Sequence, residues 1–107
     1  MKKIVDKIAR ELNTALKKTL DGFEGLYVFG SQVRGEATKD SDIDIVVIMN
    51  DPDNFDKRDI IWGIVSLLEY NYDIFLDIHP KTREQLEMNY SFHDEVVNKG
   101  VFYAAAA

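Results

Sequence analysis

The sequence predicts an α/β protein of the α+β type, in which helices back one small mixed β-sheet. Two observations predict this class. Helical and strand-like patterns alternate along a chain of 107 residues, which is the size of one domain. The hydrophobic fraction is 46%, with 11% aromatic residues, a composition typical of chains that fold around a core. We therefore expect one domain at 1–103, followed by an alanine tail at 104–107 that need not be native.

A helix, a strand and a loop are predicted in the first part of the chain. Apolar residues recur every four positions over 3–19, which indicates an amphipathic helix. The apolar and aromatic run at 26–29 is typical of a buried strand, and Gly30 ends it. Residues 30–41 are polar and contain two glycines, so we expect a loop with one helical turn there.

The middle of the chain carries the strongest strand pattern. Residues 42–49 form a nearly continuous β-branched run, which predicts a central strand covered on both faces. A turn at 50–54 follows, and then a broad apolar stripe that predicts a helix over 55–70. Within this helix we expect Phe55 and Trp62 to pack in the core.

The last part of the chain predicts a third strand and two short helices. Residues 73–79 are typical of a strand, which Pro80 is expected to stop. Thr82 begins a capping-box pattern for one short helix, and Ser91 can cap another. Residues 101–103 could form an edge strand or a docking tail.

Composition and charge exclude several kinds of protein. The chain has no cysteine, which rules out disulfides, a cysteine-bound zinc and a cysteine nucleophile. Its 19 acidic and 13 basic residues give a net charge of -6, so we expect no stable binding to nucleic acid. The sequence shows no signal peptide and no apolar run long enough to span a bilayer, which predicts a cytoplasmic protein without membrane association.

A Gly-Ser pair after the first strand is the first feature that suggests chemistry. Gly30 would let a ligand approach the backbone closely, and Ser31 offers an N–H and a hydroxyl. If residues 31–34 form a helical turn, their free N–H groups favour a phosphate. Arg34 is, with Lys39, the main positive charge in an acidic stretch, and arginine is suited to holding phosphate oxygens. Taken alone, however, Gly-Ser is also one of the commonest turns.

Two aspartates at the start of the second strand are the next feature. Side chains alternate on a strand, so Asp42 and Asp44 point to the same face. Two such carboxylates repel each other unless a cation lies between them. Hard oxygen ligands at this spacing suit Mg²⁺ or Mn²⁺, whereas a solvated pair that caps a turn is the structural alternative.

The combined spacing resembles a known family. Gly30–Ser31, ten further residues and then Asp42–Asp44, with Arg34–Gly35 inside and Ser41 directly before the first aspartate, resemble the signature of the DNA polymerase β-like nucleotidyltransferase superfamily. More narrowly, the chain resembles the minimal nucleotidyltransferase (MNT) family, whose members pair as antitoxins with HEPN-domain toxins. The resemblance implies the polymerase β-like nucleotidyltransferase fold.

The resemblance also implies roles for individual residues. It assigns nucleotide binding to Gly30, Ser31, Arg34 and Ser41, and it makes Asp42 and Asp44 catalytic ligands of two divalent ions. A third carboxylate, both catalytic and metal-binding, comes from a neighbouring strand in this family. Alternation places Asp73 and Asp77 on one face of the third predicted strand and leaves both open. The family position, between apolar residues and shortly before a turn, favours Asp77.

From this resemblance we expect a protein adenylyltransferase. It would use two Mg²⁺ or Mn²⁺ ions to transfer AMP from ATP to a HEPN-type RNase toxin. The alternative is a binding module that neutralises its partner by contact alone. Modification of a small molecule or a nucleic acid is disfavoured, because we expect neither an accessory substrate-binding domain nor a basic patch in this chain. We expect His79 and His93 at the surface or supporting the site, rather than binding metal.

Overall fold

A four-stranded mixed sheet organises the computed structural model, which describes residues 1–105. The elements of this described part, in chain order, are α1 (Lys3–Thr19), β1 (Phe23–Phe29), α2 (Ser31–Arg34), β2 (Ile43–Met49), α3 (Phe55–Tyr72), β3 (Leu76–Lys81), α4 (Arg83–Met88), α5 (Tyr90–His93), a π-helical turn (Asp94–Asn98) and β4 (Val101–Ala104). Ala104 of the predicted alanine tail therefore ends β4, whereas residues 106–107 of that tail lie outside the described residues.

The strand order β3-β2-β1-β4 confirms the predicted mixed sheet. β1 is antiparallel to both β2 and β4, and β2 is parallel to β3. A parallel pair needs a crossover connection, which α3 supplies. The register places Asp44 of β2 opposite Phe29 on one side and opposite Asp77 on the other.

Alternation along β2 gives the sheet two covered faces. Ile43, Ile45 and Val47 point into the larger core, to which α1 and α3 contribute. Val46 and Ile48 point into a smaller cluster on the other face, with residues of α4 and the π-helical turn. These five side chains are fully buried, which confirms the prediction of a central strand. Asp44 begins the second face.

The third strand differs from its prediction at both ends. It begins at Leu76, not at residue 73, and it continues through Pro80 to Lys81. Asp73 instead ends α3 in the left-handed conformation, with φ 50°. Pro80 is tolerated because β3 is an edge strand. Proline can occupy an edge position whose nitrogen faces away from the neighbouring strand.

Other local predictions were partly right. The Thr82 capping box is present, and residues 101–104 form an edge strand. Asn89, not Ser91, caps α5, because its side chain accepts the N–H of Phe92.

The predicted core positions of two aromatic residues were wrong. Phe55 is 83% exposed and Trp62 is 37% exposed, because both lie outside the stripe that α3 turns toward the sheet. The apolar pattern of α3 was too broad to separate these residues from the core ones. No helix within residues 1–105 combines the length and the apolar character that a membrane crossing requires.

Candidate active site

Three side chains converge on the second face of the sheet, where β2 and β3 lie side by side. Asp44 and Asp77 are opposite each other in the parallel register, and His79 follows two positions along β3 on the same face. One ligand atom from each of the three lies within 4.8 Å of the others. The His79 Nε2 atom is 3.3 Å from Asp77 Oδ2. We call these three residues the carboxylate–histidine group.

Electrostatics at Asp44 show the cost of this arrangement. Partial burial raises the pKa of the Asp44 carboxyl, and the Asp77 carboxylate raises it further, while His79 acts in the opposite direction. A positive charge between the two carboxylates would relieve their repulsion. Two carboxylate oxygens and an imidazole nitrogen form a donor set that a divalent cation such as Mn²⁺ accepts, and the oxygens alone suit Mg²⁺. The residues present therefore fit a divalent ion.

Gly30 brings the Gly-Ser turn against this group. Its φ of 79° lies in the region that favours glycine. A Cβ atom at this position would lie 2.4 Å from Asp44 Oδ2, which is closer than atoms pack. The glycine therefore permits both the positive φ and the close approach of Asp44 to the turn. Ser31 follows it as the first residue of α2.

Gln32 closes the loop between the two halves of the motif. It is the buried polar residue of the described core, only 4% exposed. Its Nε2 donates to the carbonyl oxygens of Ser41 and Asp42, at 3.3 and 3.2 Å. The buried Oε1 has no hydrogen-bond partner within residues 1–105. Sequence reasoning missed Gln32 because its partners are backbone atoms nine and ten positions away.

The other predicted site residues lie around the group with different contacts. Asp42 is exposed, directly before β2, and lies outside the carboxylate–histidine group. The Ser41 hydroxyl accepts the Thr38 N–H at 2.9 Å and so closes a turn within the loop. Asp73 is at the end of α3 and outside the group.

Arg34 is held by acids in this structure. Its guanidinium pairs with Glu36 at 3.1 Å and with Glu95 of the π-helical turn. Although desolvation acts against its charge, Glu36 and Glu95 raise the pKa of Arg34. A phosphate at this position would therefore compete with two carboxylates for the guanidinium.

Phe29 and Phe92 form an aromatic wall beside His79. The His79 ring centre lies 5.8 Å from that of Phe29 and 6.0 Å from that of Phe92, and the two phenylalanine ring centres are 5.5 Å apart. His79 thus sits between this wall and Asp77. Alternation on β3 was the signal that could have linked His79 to Asp77, since residues two apart on a strand share a face.

Comparison with known proteins finds one family for nearly the whole described chain. A family model described as a nucleotidyltransferase domain matches residues 5–103. Two proteins of Methanocaldococcus jannaschii, each named "Putative protein adenylyltransferase", are similar to the chain. One is 31% identical over 100 residues, 92% of this chain and 93% of the relative. The other is 30% identical over 98 residues, 89% of this chain and 93% of the relative.

Solved structures share the fold. A crystal structure described as a toxin–antitoxin with AMP-PNP superposes with a TM-score of 0.63 at 22% identity, covering 92% of this chain and 73% of its own. A structure described as a tri-AMPylated Shewanella oneidensis HEPN toxin in complex with MNT antitoxin gives a TM-score of 0.58 at 18% identity, covering 96% and 72%. At these identities, the likeness shows the fold.

Proposed function

Because the chain belongs to the nucleotidyltransferase domain family, we propose that it transfers AMP from ATP to a protein partner in a metal-dependent reaction. Two relatives at 30% identity or more carry the name of protein adenylyltransferases, which supports a protein acceptor. A structural neighbour that holds AMP-PNP and another whose toxin is tri-AMPylated support the nucleotide.

The observation that carries the proposal is the contact of the Gly30 turn with the carboxylate–histidine group. A side chain at Gly30 would displace Asp44 Oδ2, which lies against this glycine, and Asp77 is directly opposite Asp44. A nucleotide at the turn would thus have its phosphates beside two carboxylates. Asp42, Asp44 and Asp77 would hold Mg²⁺ or Mn²⁺, two ions in our proposal, and bound metal would neutralise the triphosphate and acidify the acceptor hydroxyl.

The remaining steps use groups of this chain. Gly30 would admit the triphosphate close to the backbone, and the Ser31 hydroxyl and Arg34 guanidinium would contact its oxygens, with Arg34 released from Glu95. Ser41 would position the loop beside the nucleotide. The acceptor oxygen forms a bond to the α-phosphorus, its proton passes to Asp77, and the bond to the β-phosphate breaks so that pyrophosphate leaves.

We propose a HEPN-domain toxin as the protein partner, in the cytoplasm. One structural neighbour is an MNT antitoxin in complex with a HEPN toxin and another is a toxin–antitoxin, and the fold they share with this chain supports an equivalent pair. Transfer of AMP to the toxin would silence it. An antitoxin that acts by contact alone is the second candidate, which the assembled state of the same neighbours favours.

A labelling experiment separates the two candidates. The chain is incubated with Mg²⁺, ATP labelled at the α-phosphate and the HEPN-domain protein proposed as its partner. We expect label on that protein with wild type and none with the Asp42→Asn/Asp44→Asn variant. Asp73→Asn is the matched control, since it removes a nearby carboxylate outside the site and should label normally. Full neutralisation of the toxin by the double variant would favour contact alone.

A further inference from the structure

The outer edge of β3 has a defined pattern of backbone groups. The Ile43 N–H of β2 donates to the Phe75 carbonyl at 3.0 Å. Backbone groups alternate in direction along a strand, so residues 77, 79 and 81 face β2. Residues 76, 78 and 80 therefore direct their backbone groups away from the sheet, at an edge that no strand of the described chain covers.

On this edge, the backbone N–H groups on both sides of one residue are not available for pairing with another strand. A carboxylate oxygen of Glu69, in α3, accepts the Leu76 N–H at 2.9 Å. Pro80 has no N–H to offer. Ile78, between them, keeps an outward N–H and carbonyl with no partner within residues 1–105. An incoming extended chain can thus pair fully at Ile78 alone, and this fixes its register.

A groove between α3 and β3 runs beside the same position. Trp62 and Ser66 of α3 line it together with Phe75, Asp77 and Ile78. Trp62 is 37% exposed and Phe75 is 58% exposed, so the groove offers aromatic surface. Asp77 borders this groove, while its carboxylate belongs to the carboxylate–histidine group on the other face of β3, so the groove and the site meet at the edge of this strand.

We propose that this edge, which we call the β3 docking edge (Ile78 with the groove at Trp62, Ser66 and Phe75), binds the acceptor segment of the protein partner. The inference rests on the proposed function. The segment is extended and pairs with Ile78, and it carries a bulky apolar residue directly next to the hydroxyl-bearing acceptor residue.

Strand geometry dictates this order of side chains. Residues opposite each other on neighbouring strands place their side chains on the same face. Ile78 points into the core under α3, so the partner residue opposite Ile78 directs its side chain toward the groove. The next partner residue points to the other face, where Asp77 and His79 lie. An acceptor hydroxyl at that position is beside the carboxylate that would take its proton.

Charge on the docking edge determines which residues can stand beside the acceptor in this segment. Glu69 lines the groove, and the Asp77 carboxylate lies on the opposite face beside the acceptor position, so acidic residues next to the acceptor would be repelled on either face. The docking edge should therefore select an apolar residue with uncharged or basic neighbours. The apolar contact sets affinity for the acceptor and leaves ATP binding unaffected.

The test compares two adjacent substitutions on α3. Ser66→Arg fills the groove with a long side chain, whereas Leu67→Arg adds the same charge at a residue that is 62% exposed and outside the groove. With the proposed HEPN-domain partner as acceptor, we expect Ser66→Arg to raise the KM for this partner about tenfold and to leave the KM for ATP unchanged. Leu67→Arg should behave as wild type, and both should melt as wild type does.

Mapping the modified residue by mass spectrometry completes the test. We expect a hydroxyl-bearing residue with a bulky apolar neighbour, whose replacement by alanine in the partner raises the same KM. If Ser66→Arg transfers AMP with the wild-type KM for the partner, the docking edge is overturned and the proposed function is not. Absence of transfer by wild type would overturn the proposed function, and the docking edge is then judged by the partner's Kd, which Ser66→Arg must still raise.

Discussion

Asp44 is the residue at which the parts of the site meet. The Gly30 backbone lies against its carboxylate, Asp77 lies opposite it, and His79 completes the group. Partial burial and the neighbouring carboxylate both disfavour its charge and raise its pKa. The folded chain therefore holds a local electrostatic cost that a bound cation would remove.

Removing the opposite carboxylate should reveal this cost. In buffer with EDTA, we expect Asp77→Asn to raise the free energy of unfolding by about 1 kcal/mol, because one like-charge contact is lost. Added Mg²⁺ should then raise the melting temperature of wild type more than that of the variant. Thermal melts with and without Mg²⁺ measure both effects. Equal responses of the two proteins to Mg²⁺ would show that Asp77 does not contribute to cation binding.

Gly30 allows a second prediction at the level of one residue. Gly30→Ala places a Cβ against Asp44 in a strained backbone conformation, so we expect AMP transfer to fall on the order of a hundredfold. Gly35→Ala is the matched control, because Gly35 has a similar φ of 77° and nothing within 4 Å of its Cβ position. Its cost should be limited to backbone strain, about 1 kcal/mol of stability. Similar losses of transfer in both variants would argue against a specific role of the Gly30–Asp44 contact.

The sequence predicted the parts of this site that depend on local spacing. Gly30 and Asp44 were identified from the motif, because a close approach and a same-face carboxylate follow from residue type and strand alternation. Strand alternation left Asp73 and Asp77 open, and the family position favoured Asp77. The β3 register puts Asp77 opposite Asp44 and Asp73 outside the strand, in agreement with that preference. Gln32 could not be predicted, since its role depends on how the loop folds back.

Among the elements, α3 is a regular helix that contains Gly63, a residue type that disfavours helix formation. Gly63 is exposed near its middle, and nothing lies within 4 Å of its Cβ position. We expect Gly63→Ala to stabilise the protein by about 0.5–1 kcal/mol, because alanine loses less backbone entropy in a helix. Chemical denaturation measures the change, and AMP transfer should stay unchanged. A loss of stability would mean that this face of α3 is covered.

Element boundaries were harder to predict where tertiary context decides them. Pro80 looked like a strand stop, yet its nitrogen faces away from β2 on an edge strand, where no hydrogen bond is lost. Phe55 and Trp62 looked apolar enough for the core, yet the stripe that α3 buries is narrower than its apolar pattern. Strand order and helix rotation decide such points, and a single sequence carries neither directly.

At the scale of the whole molecule, one hydrogen bond ties the first helix to the last strand. The Tyr103 hydroxyl donates to Asp6 Oδ1 at 2.7 Å, and Arg10 lies over the Tyr103 ring. The bond from Tyr103 and the contact with Arg10 lower the pKa of Asp6. Burial and the same bond to Asp6 raise the pKa of Tyr103.

Tyr103→Phe should therefore change stability in a pH-dependent way. Near neutral pH we expect its melting temperature to be lower by about 4 °C, because one hydrogen bond to a charged group is lost. Since the folded pKa of Asp6 is depressed, this difference should shrink as pH falls below about 4. Since the folded pKa of Tyr103 is raised, the same difference should also shrink as pH rises above about 10, where wild type loses the contribution of this tyrosine. A difference that is constant from acid to alkaline pH would contradict this account.

The pairing of β4 with β1 has a kinetic consequence. It joins Gly25 to Ala104, the strand contact with the largest sequence separation within residues 1–105, whereas β1, β2 and β3 meet through much shorter connections. Closing so long a loop is entropically costly and is expected late on the folding pathway. Tyr103→Phe should then accelerate unfolding and leave the refolding rate nearly unchanged, because the strands of the candidate site assemble before the chain completes its sheet.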